Sequence, residues 1–263
     1  MESTSQATLC LTIDNMGDAR MIGRGQAARP DADEYSIKVG VPAFLDLFAD
    51  LQVQATYFIE GWNALHRRDV IEKIAAAGHE IGLHGWLHEY WAKLDDRTRE
   101  QLLWDGTAAL RLAGFDPRSF RAPGMYRGTH TLEVLGELGY RVDSSIDPDG
   151  GQPGQTPHPQ VMHNGILNIP WTMDMSDYWH YVMIPDAPRH PDVVADYWIA
   201  HIDAAAESGA VIPMIIHPFV NGVDCERMAA LRRTLEHALQ HPRVAVKTAL
   251  QAADAFLSPV SGQ

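Results

Sequence analysis

The stretch His79-Glu80-Ile81-Gly82-Leu83-His84-Gly85-Trp86-Leu87-His88 decides how this chain is read. Residues 80–83, just after Gly78, have the pattern of a short buried strand, and the run ends in two imidazoles four residues apart. On a helical turn, side chains at i and i+4 lie roughly 5 to 6 Å apart at Cβ. That separation suits two ring nitrogens, each about 2 Å from one divalent ion. A lone His-x-x-x-His is weak evidence in a chain with 13 histidines, so its neighbours must carry the rest.

Outward from this stretch, strand-type and helix-type runs alternate. Before it lie a strand over 7–14, a helix over 41–51 with an apolar face (Phe44, Leu45, Leu47, Phe48, Leu51), a strand over 55–60 and a helix over 64–77 stopped by Gly78. After it come a helix over 97–112 stopped by Gly114, a strand over 119–122, a helix over 131–138 before Gly139 and a strand over 141–145. Residues 147–164 are rich in Gly, Pro, Asp and Gln and read as a long loop. The alternation resumes with a strand over 166–170, a helix over 192–207, a strand over 211–216, a helix over 225–239 and a strand over 244–247. This is the pattern of repeated βα units around a parallel sheet or barrel. With 263 residues, 46% hydrophobic, the chain is expected to form one domain over 1–263 around one core.

The formal net charge of −13 argues against a nucleic-acid or anionic-membrane partner, either of which needs a basic surface. Cys10 and Cys225 are far apart and form no CxxC, so neither a disulfide framework nor a zinc–thiolate site is expected. Residues 1–6 lack the basic and long apolar segments of a secretory leader, and no run approaches the roughly 18 to 20 apolar residues of a membrane span. The expected location is the cytoplasm.

Four strand ends hold the chemistry-bearing residues, where a parallel βα barrel builds its active centre. They are Thr12-Ile13-Asp14-Asn15-Met16-Gly17, the segment from His84 to His88, Arg121-Ala122-Pro123-Gly124, and Ile215-Ile216-His217-Pro218. In order and character they resemble the polysaccharide deacetylase superfamily, the carbohydrate esterases built on the NodB homology domain. There a first strand ends in Thr-Phe-Asp-Asp-Gly, followed by His-x-x-x-His, Arg-x-Pro and a Leu-x-Ile-His-Pro-like segment. The Gly-His-Glu-Ile-Gly-x-His-Gly run and the helix near 39–48 look most like the intracellular branch, which includes peptidoglycan-deacetylase-like and allantoinase-like proteins. The resemblance implies an α/β fold, a distorted (β/α) barrel of about seven parallel strands. It also implies a divalent ion, usually zinc but sometimes cobalt or nickel, serving hydrolysis of an N-acetyl or related amide.

On that resemblance His84 and His88 are metal ligands, with partly exposed surface histidines as the bland reading. The family's second Asp, a metal ligand, is replaced by Asn15. In the motif's register Asp14 is the general base and the Asn15 carbonyl a weaker third ligand. Alternatively Asp14 coordinates the ion, as the better oxygen donor, and the base comes from Asp18, Asp143 or Asp147. A third arrangement binds metal weakly or not at all. His217 matches the general acid that protonates the leaving amine, and Arg121 the residue that tunes the catalytic carboxylate, with Asp143 as its expected partner. The backbone N–H of Gly124 or Met125 is a candidate oxyanion donor. Trp171, Tyr178 and Trp179, in an aromatic run that also holds Asp174, His180 and Tyr181, are candidates to line the substrate pocket or a contact patch.

The expected function is removal of an acyl group, most simply acetyl, from the amide nitrogen of a small soluble compound, with a second copy of the chain as a candidate partner. The rivals are an allantoinase-like or cyclic-imide ring-opening hydrolase, and a barrel that binds a ligand without turning it over.

Overall fold

The structure, a computed structural model, describes residues 6–146 and 158–257. Among these residues nine strands make one curled sheet: β1 (Ala7–Asp14), β2 (Thr56–Ile59), β3 (Glu80–Leu83), β4 (Ser119–Phe120), β5 (Val142–Asp143), β6 (Gln160–Val161), β7 (Leu167–Asn168), β8 (Val211–Ile216) and β9 (Val244–Lys247). Its order is β6-β7-β5-β4-β3-β2-β1-β8, and every pairing is parallel except β6 with β7. Seven parallel strands, from β7 round to β8, therefore form the half-barrel wall, in line with the expected barrel. The helices are α1 (Ala19–Gly23), α2 (Val41–Leu51), α3 (Gly61–His66), α4 (Arg68–Ala76), α5 (Asp96–Leu112), α6 (Thr131–Leu138), α7 (Pro191–Ser208), α8 (Cys225–Gln240) and α9 (Ala249–Leu257). Among the described residues, no helix is long and apolar enough to cross a membrane.

β1 is the centre of the construction. All eight of its residues are buried, as expected of a parallel strand covered on both faces. It pairs with β8 along one edge, while β9 and β2 share the other, β9 along Ala7–Cys10 and β2 along Thr12–Asp14. Side chains alternate across the wall. Leu9, Leu11 and Ile13 pack outward into the main core with Phe44, Phe48 and Leu231. Cys10 joins Phe58, Val142, Leu167 and Ile169 in a second cluster sealed by Ala249, Ala252 and Ala253 of α9. The interior is thus plugged from below, and the same alternation carries Thr12 and Asp14 inward above the plug. Burial pushes the Cys10 thiol up to about 12, which leaves it an inert core group.

Some elements differ from expectation. The helix expected over 64–77 is two helices, α3 and α4, broken at Arg67 (φ −135°). α1, α9 and β6 carry no strong pattern in the sequence, being short or, in α9, mostly small residues. Of the loop expected over 147–164, residues 147–157 lie outside the described residues, and with them the base candidate Asp147.

Candidate active site

Four strand ends converge on a cavity of about 370 Å3, lined among others by Asp14, Asn15, His84, His88, Gly124, Met125, Trp171, Tyr178 and His217. The chain leaves β1 through Asn15, at φ +63°, into Gly17 at φ +68°. Asn tolerates the left-handed region better than most residues, because its short amide can bond locally. His88 (φ +60°) and Met125 (φ +85°) also occupy it. Non-glycine residues held there cost energy and tend to cluster at functional sites.

The two imidazoles do not sit on a helical turn, which corrects the geometry inferred from their spacing. Residues 84–88 form a loop after β3, bent at Gly85 (φ +70°), where a Cβ would stand 2.8 Å from Pro123 Cγ. The Glu89 carboxylate staples this loop by accepting the Trp86 N–H (3.0 Å) and the Leu87 N–H (2.8 Å). The outcome nevertheless serves two ligands of one ion: the His84 and His88 ring centroids are 5.0 Å apart, inclined at 71°. His84 Nδ1 lies 2.8 Å from the Arg121 carbonyl, an acceptor, so Nδ1 carries the proton and Nε2 keeps a free lone pair. Burial holds the His84 pKa below the usual imidazole range. His88 is pushed further down, first by burial and then by His84 and Arg20. Both rings are neutral at physiological pH, the form that binds metal.

Arg121 is fully buried under the cavity floor. Its Nη1 donates to Asp14 Oδ1 (2.6 Å) and Thr12 Oγ1 (2.8 Å), its Nη2 to Ser144 Oγ (2.8 Å), and its guanidinium carbon lies 4.4 Å from the Phe58 ring centroid. A buried guanidinium is tolerable only when so fully partnered. Its carboxylate partner is Asp14, which corrects the expected pairing with Asp143. Asp143 instead accepts from Arg127 Nη1 (3.1 Å) and Asn168 Nδ2 (2.9 Å), is fully buried and does not line the cavity. These bonds tie down the end of β5. Burial raises the Asp143 pKa. Asp18 is likewise absent from the cavity lining and accepts from Arg67 Nη2 (3.1 Å).

For a dication, the donor chemistry fits two neutral imidazoles, His84 and His88, with the Asn15 side-chain oxygen as third donor. Asp14 lines the same cavity as the two imidazoles and acts electrostatically on His84. Asp14 remains tied to Arg121, as the motif's own register implies.

His217, at the end of β8, is oriented by a residue that sequence reasoning missed. Asp177, fully buried, accepts the His217 N–H (2.8 Å) and lies 2.6 Å from His217 Nδ1. That fixes the proton on Nδ1 and leaves Nε2 as the free nitrogen of a ring lining the cavity. The segment before Asp177 closes the open edge of the wall: Ser176 bridges Ile215 in parallel, and the Ile215 N–H donates to the Met175 carbonyl (2.9 Å). In the sequence Asp177 is one acid in an aromatic run, with nothing to tie it to residue 217.

Of the other expected residues, Trp171 and Tyr178 reach the cavity, and the Tyr178 ring lies 5.6 Å from His217. Trp179 does not line it: one residue on in a helical turn, the side chain swings by about 100°. As oxyanion donors the two candidates differ. The Met125 N–H is spent on the Ala122 carbonyl (3.1 Å), which leaves Gly124.

A family model described as polysaccharide deacetylase matches residues 3–142. A peptidoglycan deacetylase-like protein of Gibberella zeae is 25% identical over 97% of this chain and 88% of its own length. The crystal structure of a Mycobacterium smegmatis protein described as a polysaccharide deacetylase superposes with a TM-score of 0.82 at 27% identity, covering 100% of this chain and 96% of that one. A PuuE allantoinase structure shares the fold at a TM-score of 0.79 and 21% identity, over 100% of this chain and 94% of its own. With its motifs, its half-barrel and the match over more than half its length, the chain belongs to the polysaccharide deacetylase family, hydrolases that act on carbon–nitrogen bonds.

Proposed function

We propose that this chain hydrolyses the amide of a small N-acyl compound, releasing acetate in the simplest case, with a zinc ion bound by His84, His88 and Asn15; cobalt or nickel would be substitutes. The observation that carries the reading is the pairing of two oriented groups on one cavity: Asp14 held by Arg121 at 2.6 Å, and His217 held by Asp177 at 2.6 Å. A bound dication would polarise the amide carbonyl and make water more acidic. Asp14, with Oδ1 committed to Arg121, offers Oδ2 to accept a proton from the attacking water. His217 Nε2 delivers a proton to the departing nitrogen, and Asp177 stabilises the imidazolium while that proton is held. The Gly124 N–H is the remaining backbone donor for the developing oxyanion.

A small substrate suits the dimensions of the cavity, whose volume lies near the low end for small-molecule sites. We place the enzyme in the reducing cytoplasm, consistent with one buried and one exposed free thiol.

The test is a substrate panel of N-acetylated amino sugars, N-acetyl amino acids and five-membered cyclic amides, assayed before and after chelation and after zinc return. Acetate release that disappears on chelation and returns with zinc is the expected result. Ring opening without acetate release would move the chain to the allantoinase-like reaction, and binding without turnover would leave only a ligand-binding barrel.

A further inference from the structure

Two cationic side chains on the cavity rim take no part in the chemistry above. Arg20, in α1, and Arg24, just beyond it, both line the cavity. The Arg20 guanidinium carbon lies 4.8 Å from the Phe219 ring centroid, and that ring stands 5.3 Å from the His217 ring, so the cation is one aromatic ring away from the proposed acid. Its field also lowers the proton affinity of His88. Arg24 rests 5.1 Å from the Tyr90 ring centroid, and Lys93 approaches the same ring at 5.1 Å. Among the described residues, neither arginine has a carboxylate partner, although acids outnumber bases 34 to 21 in the chain. Arg67, Arg99, Arg121 and Arg127 all have one. The two carboxylates that line the cavity are already engaged: Asp14 with Arg121, and Glu89 with the Trp86 and Leu87 N–H groups.

A forked guanidinium recognises a carboxylate or phosphate through paired, charge-assisted hydrogen bonds, and it leans on an aromatic face when none is at hand. Two of them, on the rim of a hydrolytic cavity in an acidic protein, are placed to bind an anion against the overall field. We propose that Arg20 and Arg24 form an anion-binding subsite, and that the substrate is an anionic amide with an acid group flanking the bond to be cut. This rests on the amide-hydrolase reading above and narrows it. An N-acyl amino acid, an acidic N-acetyl sugar and a carboxylate-bearing cyclic amide share that chemistry, whereas an uncharged acetylated polymer does not.

Matched pairs test the subsite in the full chain. N-acetylglucosamine is compared with N-acetylmuramic acid and with N-acetylglucosamine 6-phosphate, and hydantoin with hydantoin-5-acetic acid, by calorimetric binding and by kcat/KM. An anionic member is expected to be favoured over its neutral partner by at least about tenfold, the carboxylate and phosphate arms showing which acid the fork takes. That preference should shrink towards parity in the Arg20→Gln/Arg24→Gln double variant, and return in part when both positions carry Lys, which keeps the charge without the fork. Equal affinity within every pair, a preference that survives the double Gln variant, or failure of every anionic probe to bind overturns the subsite. Turnover of neutral amides with no anionic preference would remove the subsite and leave the hydrolase standing. Tight, arginine-dependent binding of anions with no amide turned over would do the reverse.

Discussion

Asn15 puts a neutral amide where the family motif has a carboxylate, so the donor set proposed here is one formal charge short. Asn15→Asp is expected to tighten zinc binding, measured by competition with a chelating dye, because a carboxylate is the stronger oxygen donor for a dication. Unchanged affinity would place residue 15 outside the coordination sphere. At the end of the neighbouring strand β8, Asp177 holds the tautomer of His217 through contacts of 2.6 and 2.8 Å. Asp177→Asn should lower kcat by about 10²-fold to 10⁴-fold, with zinc content and melting temperature kept near wild type and the loss confined to the proton-donating limb of the pH profile. A uniform fall in stability and metal content would mean that Asp177 is only a packing residue. The legibility of these residues divides on range. Asp14, His84 and His217 each stand at the end of a recognisable strand, with His88 four residues beyond His84, and could be read locally, whereas the Asp177 and Arg127 pairings join segments 40 and 16 residues apart that only the folded wall brings together.

The longer elements were readable because their signals agree. β1, β3, β8 and β9 match their expected ranges, as do α2 and α6, all bounded by strand-end polar residues or by left-handed Gln52 and Gly139. β4, β5 and β7 shorten to two residues each: the paired register stops at Phe120, Asp143 and Asn168, and beyond it Arg121, Ser144 and Ile169 each donate one backbone bond to the neighbouring strand. The loop from His84 to His88 shows what spacing cannot tell: the four-residue interval suggested a helical turn, yet Gly85 and left-handed His88 produce an irregular loop with the rings still facing. Gly85→Ala tests this loop. It must meet both the positive φ and a Cβ 2.8 Å from Pro123 Cγ, so it should destabilise by about 1–3 kcal/mol and weaken zinc binding together. Chemical denaturation and metal titration on the same preparation would check it, and a stable variant with native affinity would show the loop to be more forgiving than drawn.

Across the whole molecule, the interior buries a titratable group that the proposed chemistry does not use. Glu60, fully buried just after β2, accepts from Asn63 Nδ2 (2.9 Å) through one oxygen while Oε1 has no partner among the described residues, and burial lifts its pKa from 4.5 to about 8. Between those values the folded chain holds a proton that the unfolded chain releases, so this group's contribution to stability is complete below about pH 4.5 and is lost as the pH rises towards about 8. Glu60→Gln should flatten that decline, seen as a difference between wild-type and variant denaturation curves that grows from about pH 5 to about pH 8; parallel curves would show Glu60 ionised throughout. A parallel βα sheet or barrel was legible from the βα alternation, and the barrel itself from the motif resemblance, whereas the α9 plug and the two strands sharing one edge of β1 depend on packing that no local pattern records. The proposed hydrolysis requires His84 and His88 to hold one catalytic dication. The direct test is titration of metal-stripped protein with zinc while following amide hydrolysis. Turnover that rises from zero and saturates near one equivalent, with no response in His84→Ala, is predicted; full turnover in the stripped protein, or a His84→Ala variant as active as wild type, would contradict it.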